Sequence, residues 1–172
     1  MKQNVLESKR LLFRTYDTDD LSALHAILSD PVTMQYWPAP FTQEGSQQWL
    51  NNNVKRYETH GFGRWAMVSK SSGQIIGDCG IVLAELDGQQ EYDLGFIVAK
   101  EFWGKGIATE AAEACKQFGF QMLGLKRLCA NMPFDHHASR SVIEKIGMTK
   151  EKEFSNARNR NILTYLYAIE ND

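Results

Sequence analysis

The stretch Asp93-Leu-Gly-Phe-Ile-Val-Ala-Lys-Glu-Phe-Trp-Gly-Lys-Gly-Ile-Ala-Thr-Glu-Ala-Ala-Glu-Ala-Cys115 changes its hydrophobic period part-way along. Leu94 to Val98 is an apolar run short enough to be a buried strand. Beyond Gly104 and Gly106 the period becomes helical. Ile107, Ala111, Cys115, Phe118 and Met122 recur on one face, and Glu110, Glu113, Lys116, Gln117 and Gln121 take the other. A strand, a glycine-bearing turn and a helix together aim unpaired backbone N–H groups and the positive end of a helix dipole at an anion. The turn from Phe102 to Thr109 holds no carboxylate and a single cation, Lys105, so it reads as a phosphate cradle. The alternative is a tight strand-to-helix turn that holds nothing. The P-loop pattern fails, because Gly106 rather than Ser or Thr follows Lys105. The dinucleotide pattern fails at Thr109.

Around this centre the composition is that of a single globular domain. The chain has 172 residues, 43% hydrophobic and 23% charged, with a net charge of −2. That charge argues against a general nucleic-acid binder. No apolar run approaches the ~18 residues of a membrane span, and the first residues contain no apolar signal core. Cys79, Cys115 and Cys129 are odd in number and widely spaced, which reads as reduced core thiols in a cytoplasmic protein, with Cys129 as a nucleophile the sharper alternative. His25, His60, His136 and His137 show no metal-ligand spacing, so no metal is expected.

Read in order, Arg10 to Thr15 alternates as a first strand. Thr18 caps a helix carrying Leu21, Leu24, Ile27 and Leu28. The loop Met34 to Phe41 holds two prolines and the aromatics Tyr36 and Trp37, candidates for one wall of an acceptor cleft. Thr42 opens a second helix that Gly61 closes. Strands follow at Arg64–Ser69 and Gln74–Val82, and another leads from Glu91 to the central stretch. The chain ends with a strand at Arg127–Met132, a helix between Asp135 and Gly147, and strands at Met148–Phe154 and Ile162–Ile169. The expectation is one α+β domain over 1–172.

Four stretches carry a resemblance: Glu7-Ser-Lys-Arg-Leu-Leu-Phe-Arg14, Gly73-Gln-Ile-Ile-Gly77 with Gly80, Trp103-Gly-Lys-Gly-Ile-Ala-Thr-Glu-Ala111, and Ala138-Ser-Arg-Ser-Val-Ile-Glu-Lys-Ile-Gly-Met148. In that order they resemble the GNAT superfamily of acyl-CoA-dependent N-acyltransferases. The nearest branch is RimJ/RimL, named for enzymes that acetylate the N-termini of ribosomal proteins. The resemblance implies a seven-stranded mixed sheet with about four helices, splayed between its fourth and fifth strands, where acetyl-CoA enters. Its pantetheine would pair with backbone at Phe96, Ile97 and Val98. Its pyrophosphate would rest on the backbone of Gly104, Lys105, Gly106, Ile107, Ala108 and Thr109. Trp103 stands where the wider superfamily has Gln or Arg, His136 where it often has Asn, and Ile143 where many members carry a proton-donating tyrosine. In the Rim branch a serine matching Ser139 fills that last role.

The reaction so implied needs an uncharged amine beside a thioester carbonyl and a proton for the departing sulfur. Backbone N–H at the splay, at Val98 or a neighbour, would polarise the carbonyl. Ser139 is the expected thiolate contact, with capping of a helical turn as its structural alternative. Glu91 and Asp93 share a strand face as candidate bases, and Asp93 matches an acidic position common in the Rim branch. The expected function is acetyl-CoA:amine N-acetyltransfer, with a protein N-terminus as acceptor. The alternatives are a small-molecule acceptor, such as an antibiotic or polyamine, and a non-catalytic CoA-binding module. The chain is read as a monomer or homodimer.

Overall fold

Strand residues alternate between two buried faces, and this alternation sets the layers of the molecule. The computed structural model describes all residues, 1–172. The strands are β1 (Asn4–Glu7), β2 (Leu11–Arg14), β3 (Arg64–Ser69), β4 (Ile75–Leu86), β5 (Gln89–Val98), β6 (Arg127–Pro133), β7 (Thr149–Asn156) and β8 (Ile162–Glu170). The helices are α1 (Leu21–Leu28), α2 (Gln43–His60), α3 (Ile107–Gln121) and α4 (His137–Lys145). All the strands join one sheet in the order β1-β2-β3-β4-β5-β6-β8-β7, antiparallel except for the β5–β6 pair.

Trp65, Met67, Cys79, Ile81 and Leu94 point to the face covered by α3 and α4, where they meet Ile107, Ala111, Cys115 and Ile143. Trp65 is fully buried, and its ring meets Phe118 edge-on with centroids 5.2 Å apart. Ala66 and Ile97 point the other way and pack on Leu24, Leu28 and Leu50 of α1 and α2. No helix is long and apolar enough to cross a membrane.

The sheet has eight strands rather than seven. The extra one, β1, is a four-residue edge strand whose only partner is β2. Its inward residues Val5 and Leu6 are adjacent and only half-buried, so it has no period-2 signal to read. The helix start also differs. Asp17, not Thr18, accepts from Asp19 N at 3.1 Å and caps a 3-10 turn, Thr18–Asp20, that runs into α1. Thr42 caps α2 through the amide of Gly45 at 3.1 Å, and Gly61 closes it at φ 81°. β4 runs on to Leu86, where Asp87 and Gly88, both left-handed, turn it tightly into β5.

Candidate active site

β5 and β6 run side by side but share one bridge, between Asp93 and Cys129. Beyond it they diverge. Leu94, Gly95 and Phe96 line one wall of the resulting cleft, and Ala130, Asn131, Met132 and Pro133 line the other. The β5 backbone on that side has no strand to pair with, and an extended ligand could fill the place. The expected splay is therefore present, between β5 and β6 once β1 is counted. Phe96 lines the cleft, whereas the side chains of Ile97 and Val98 belong to the two cores.

Past β5 the chain makes a 3-10 turn, Lys100–Phe102, then passes through Gly104 at φ 73° and Gly106 at φ 76° before α3 begins. Gly106 is the N-cap of α3, and no side chain caps it. The first intrahelical bond runs from Glu110 N to Gly106 O at 3.1 Å, which leaves the amides of Ile107, Ala108 and Thr109 without intrahelical partners. Arg10 braces the turn: its Nη1 donates to Lys105 O at 2.8 Å and its Nε to Glu110 Oε2 at 2.6 Å. Trp103 donates from Nε1 to Val98 O at 2.7 Å and ties the turn to the end of β5. That bond occupies one of the carbonyls expected to face an extended ligand. Lys105 lies 5.4 Å over the Phe102 ring.

On the opposite wall, His136 Nδ1 accepts from Ser139 N at 3.4 Å and caps α4. Its ring stacks on Tyr36 at 3.8 Å, almost parallel. Burial pushes His136 down to about 4, so at neutral pH the ring is uncharged and its Nδ1 is free to accept. Because the folded state resists this protonation, stability is expected to fall as pH drops from 6.5 toward 4. His136→Ala should cost about 1 kcal/mol in urea unfolding, and His136→Asn, which keeps a capping oxygen, only a few tenths. Equal losses would show that the cap contributes nothing. With the cap supplied by His136, the half-buried Ser139 hydroxyl has no protein partner and lines the cleft.

The acidic candidates separate. Glu91 is held by Arg127 Nε at 3.2 Å in a cluster with Glu151 and Glu170, outside the cleft. Its carboxyl sits below the usual range despite partial burial, because Arg127 donates to it. Asp93 lines the cleft and accepts from Asn131 Nδ2 at 3.1 Å. Desolvation raises Asp93 to about 7, only partly opposed by Arg64 and by the Asn131 hydrogen bond. Cys129 is buried, and its thiol is pushed up to about 12 by desolvation and by Glu91, which excludes the nucleophile reading. Cys79 and Cys115 are buried free thiols.

Trp37 packs edge-on against Phe41 and Trp49 and, with Tyr36, walls the cleft. A second lobe is lined by Trp49, Leu86 and Phe154, and the two lobes share Trp37, Arg64, Asp93, Asn131, Asn156 and Arg158. Sequence reading missed the polar floor under that junction. Asp78, wholly buried, accepts from Tyr16 Oη at 2.6 Å, from Trp49 Nε1 at 3.0 Å and from Arg64 Nε. A charged residue inside an otherwise apolar strand, as Asp78 is between Ile76 and Ile81, was the available signal.

Residues 10–149 match the family described as Acetyltransferase (GNAT) domain. YkkB of Bacillus subtilis is 31% identical over 148 residues, 86% of this chain and 86% of YkkB. An acetyltransferase (GNAT family) from Bacillus anthracis superposes with a TM-score of 0.80 at 30% identity, over 96% of this chain and 97% of that one. RimL, a ribosomal L7/L12 α-N-protein acetyltransferase solved in complex with coenzyme A, superposes with a TM-score of 0.76 over 98% of each chain. At 16% identity that last likeness is one of fold.

Proposed function

This chain belongs to the GNAT acetyltransferase family, and on that footing we propose that it moves an acetyl group from acetyl-CoA directly to the α-amine of a protein N-terminus within a ternary complex. The observation that carries the reading is the position of Asp93, a carboxylate held by Asn131 at the junction of the two lobes, where desolvation raises it to about 7. A base of that strength is matched to an α-amine near ~8 and falls more than three units short of a lysine amine near ~10.4.

The roles of this chain's residues follow from where they lie. The amides of Ile107 to Thr109, with Arg10 and Lys105 beside the turn, suit a pyrophosphate. The unpaired β5 backbone near Phe96 suits an extended pantetheine. Asp93 takes one proton of the incoming ammonium, the freed nitrogen forms the new bond to the acyl carbon as the carbon–sulfur bond breaks, and the nitrogen's second proton leaves to solvent to give the neutral amide. The Ser139 hydroxyl donates a proton to the leaving sulfur and is reprotonated from solvent. Ile143, in the same lobe, has no proton to give.

Thermal unfolding with and without acetyl-CoA tests the cosubstrate. At about 100 Kd of ligand the stabilisation is ~2.7 kcal/mol, a rise of roughly 5–10 °C for a chain of this size. The rise is expected with acetyl-CoA and not with ATP; no rise with acetyl-CoA overturns the reading. With the cosubstrate established, free-thiol release against a panel of N-terminal peptides measures transfer. Ser139→Ala is expected to lower kcat by about 10²-fold with the acetyl-CoA-induced rise intact. An unchanged kcat removes Ser139 from the mechanism, and the absence of thiol release with every amine tested returns the chain to a CoA-binding module.

A further inference from the structure

Arg64 is the buried cation at the lobe junction, and its hydrogen bonding is incomplete, whereas Arg158, which also lines both lobes, is exposed. Arg64 is 7% exposed, its Nε is bound to Asp78, and its Nη2 is a buried donor with no partner in the protein. A buried guanidinium with an idle N–H is costly to keep, and such a group in a native protein is explained by an ordered water or by a functional role. Asp78 does not fully satisfy the charge, because it is shared with Tyr16 and Trp49. The Trp49 ring, 5.2 Å from the guanidinium carbon, fixes its plane.

The sheet is shaped to admit this side chain. Arg64 pairs with Gly80 on β4, and Gly80 pairs with Gly95 on β5. A Cβ at Gly95 would stand 2.1 Å from Arg64 Nη1, so the guanidinium reaches across β4 and lies against bare β5 backbone. Asp93 is two residues earlier on the same face of β5, and both side chains line both lobes. The floor of the junction therefore offers a proton acceptor for nitrogen beside a cationic donor for oxygen. An α-aminoacyl group carries its nitrogen and its carbonyl oxygen on adjacent carbons, roughly 3 Å apart.

Resting on the transfer reaction proposed above, we infer that the Arg64 guanidinium, whose Nη1 tip lies against Gly95 in the cleft, binds the carbonyl oxygen carried one carbon beyond the amine-bearing carbon of the acceptor. The enzyme then selects α-aminoacyl acceptors, a peptide N-terminus or an amino acid, over plain alkyl amines. The oxygen belongs to the acceptor and not to the thioester, because Arg64 also lines the second lobe, from which Ser139, Phe96 and Ile143 are absent.

The test uses the wild-type protein, acetyl-CoA and three amines with the same substitution at carbon: alaninamide, alanine and isopropylamine. Initial thiol-release rates are divided by each amine's uncharged fraction at the assay pH. On kcat/KM, alaninamide is expected to exceed isopropylamine by about 10–100-fold, the worth of a hydrogen bond to a charged donor. The alanine arm separates the two sources of oxygen: a rate matching alaninamide identifies free amino acids as acceptors, and a rate well below it identifies peptide N-termini. Equal corrected rates for alaninamide and isopropylamine overturn the inference while leaving acetyl transfer standing. Thiol release with none of them, alongside an intact acetyl-CoA-induced rise in melting temperature, overturns the transfer reaction and this inference with it. Arg64→Lys keeps a charge toward Asp78 but loses the fork. It is expected to collapse the alaninamide preference mainly through KM, and an undiminished preference in a folded variant counts against Arg64. Should that variant not fold, the wild-type ratio decides alone.

Discussion

Replacing Asp93 with Asn is expected to lower kcat/KM for acetyl transfer by about 10²–10³-fold and to abolish the rise of the wild-type pH–rate profile through pH 7. The side chain keeps its shape and its contact with Asn131 but can no longer take a proton. The same group leaves a mark on stability. Its carboxyl holds a proton in the folded protein up to about 7, whereas the unfolded chain releases it near 3.8. Between those values the folded state binds more protons, so this group's contribution to stability falls as pH rises through the window. Asp93→Asn should therefore be more stable than wild type at pH 8 and no more stable at pH 3.5. His136 slopes the other way between 4 and 6.5 but is common to both proteins, so their difference reports Asp93 alone. Urea unfolding at the two pH values measures the stability effect, and thiol release against pH measures the kinetic one. A variant that retains both the rate and the rising limb would remove Asp93 as the base.

Gly80→Ala is expected to be the most damaging of the small substitutions, at about 3 kcal/mol or more, and to lower the melting temperature by roughly 6–12 °C. A Cβ there would lie 2.0 Å from the Gly63 carbonyl oxygen and 2.7 Å from Arg64 Cα. Both are backbone atoms, so β3 itself must move away from β4. Gly104→Ala is the control. Its φ of 73° disfavours a side chain, but nothing lies within 4 Å, and the cost should be about 1 kcal/mol. Gly95→Ala falls between, because the atom it would strike is the tip of Arg64, which can swing away. That variant should hold its fold better than Gly80→Ala. Differential scanning calorimetry orders the three, and a Gly80→Ala protein melting within 2 °C of wild type would mean that β3 has slack at Gly63 that the backbone geometry denies.

The Gly80 effect also explains a partial reading. The sequence displayed Gly80 as part of one of the four stretches that carry the family resemblance, with no reason for it. The reason is a backbone from another strand lying where its side chain would be, and that is a property of sheet order. Asp78, two residues earlier, is similar. Its charge inside an apolar strand was visible, but its partners Tyr16, Trp49 and Arg64 come from three separate elements.

What the sequence by itself determined is local and periodic. The strand-turn-helix at Leu94 to Gln121, the Thr42 cap, the Gly61 stop and the alternation that builds two buried faces all depend on residues within a few positions of one another. The geometry of the turn before α3 was legible for the same reason, since two left-handed glycines and an uncapped helix start lie within one turn. Only the tertiary structure decided which polar groups meet. It separated Asp93 from Glu91 by sending Arg127 to the latter. It released the Ser139 hydroxyl by letting His136 cap α4, and it laid Arg64 across two strands to stand beside Asp93. Burial and partnership are set by neighbours distant in the chain. The protonation of Asp93 and the idle donor of Arg64 therefore exist only once the sheet has assembled.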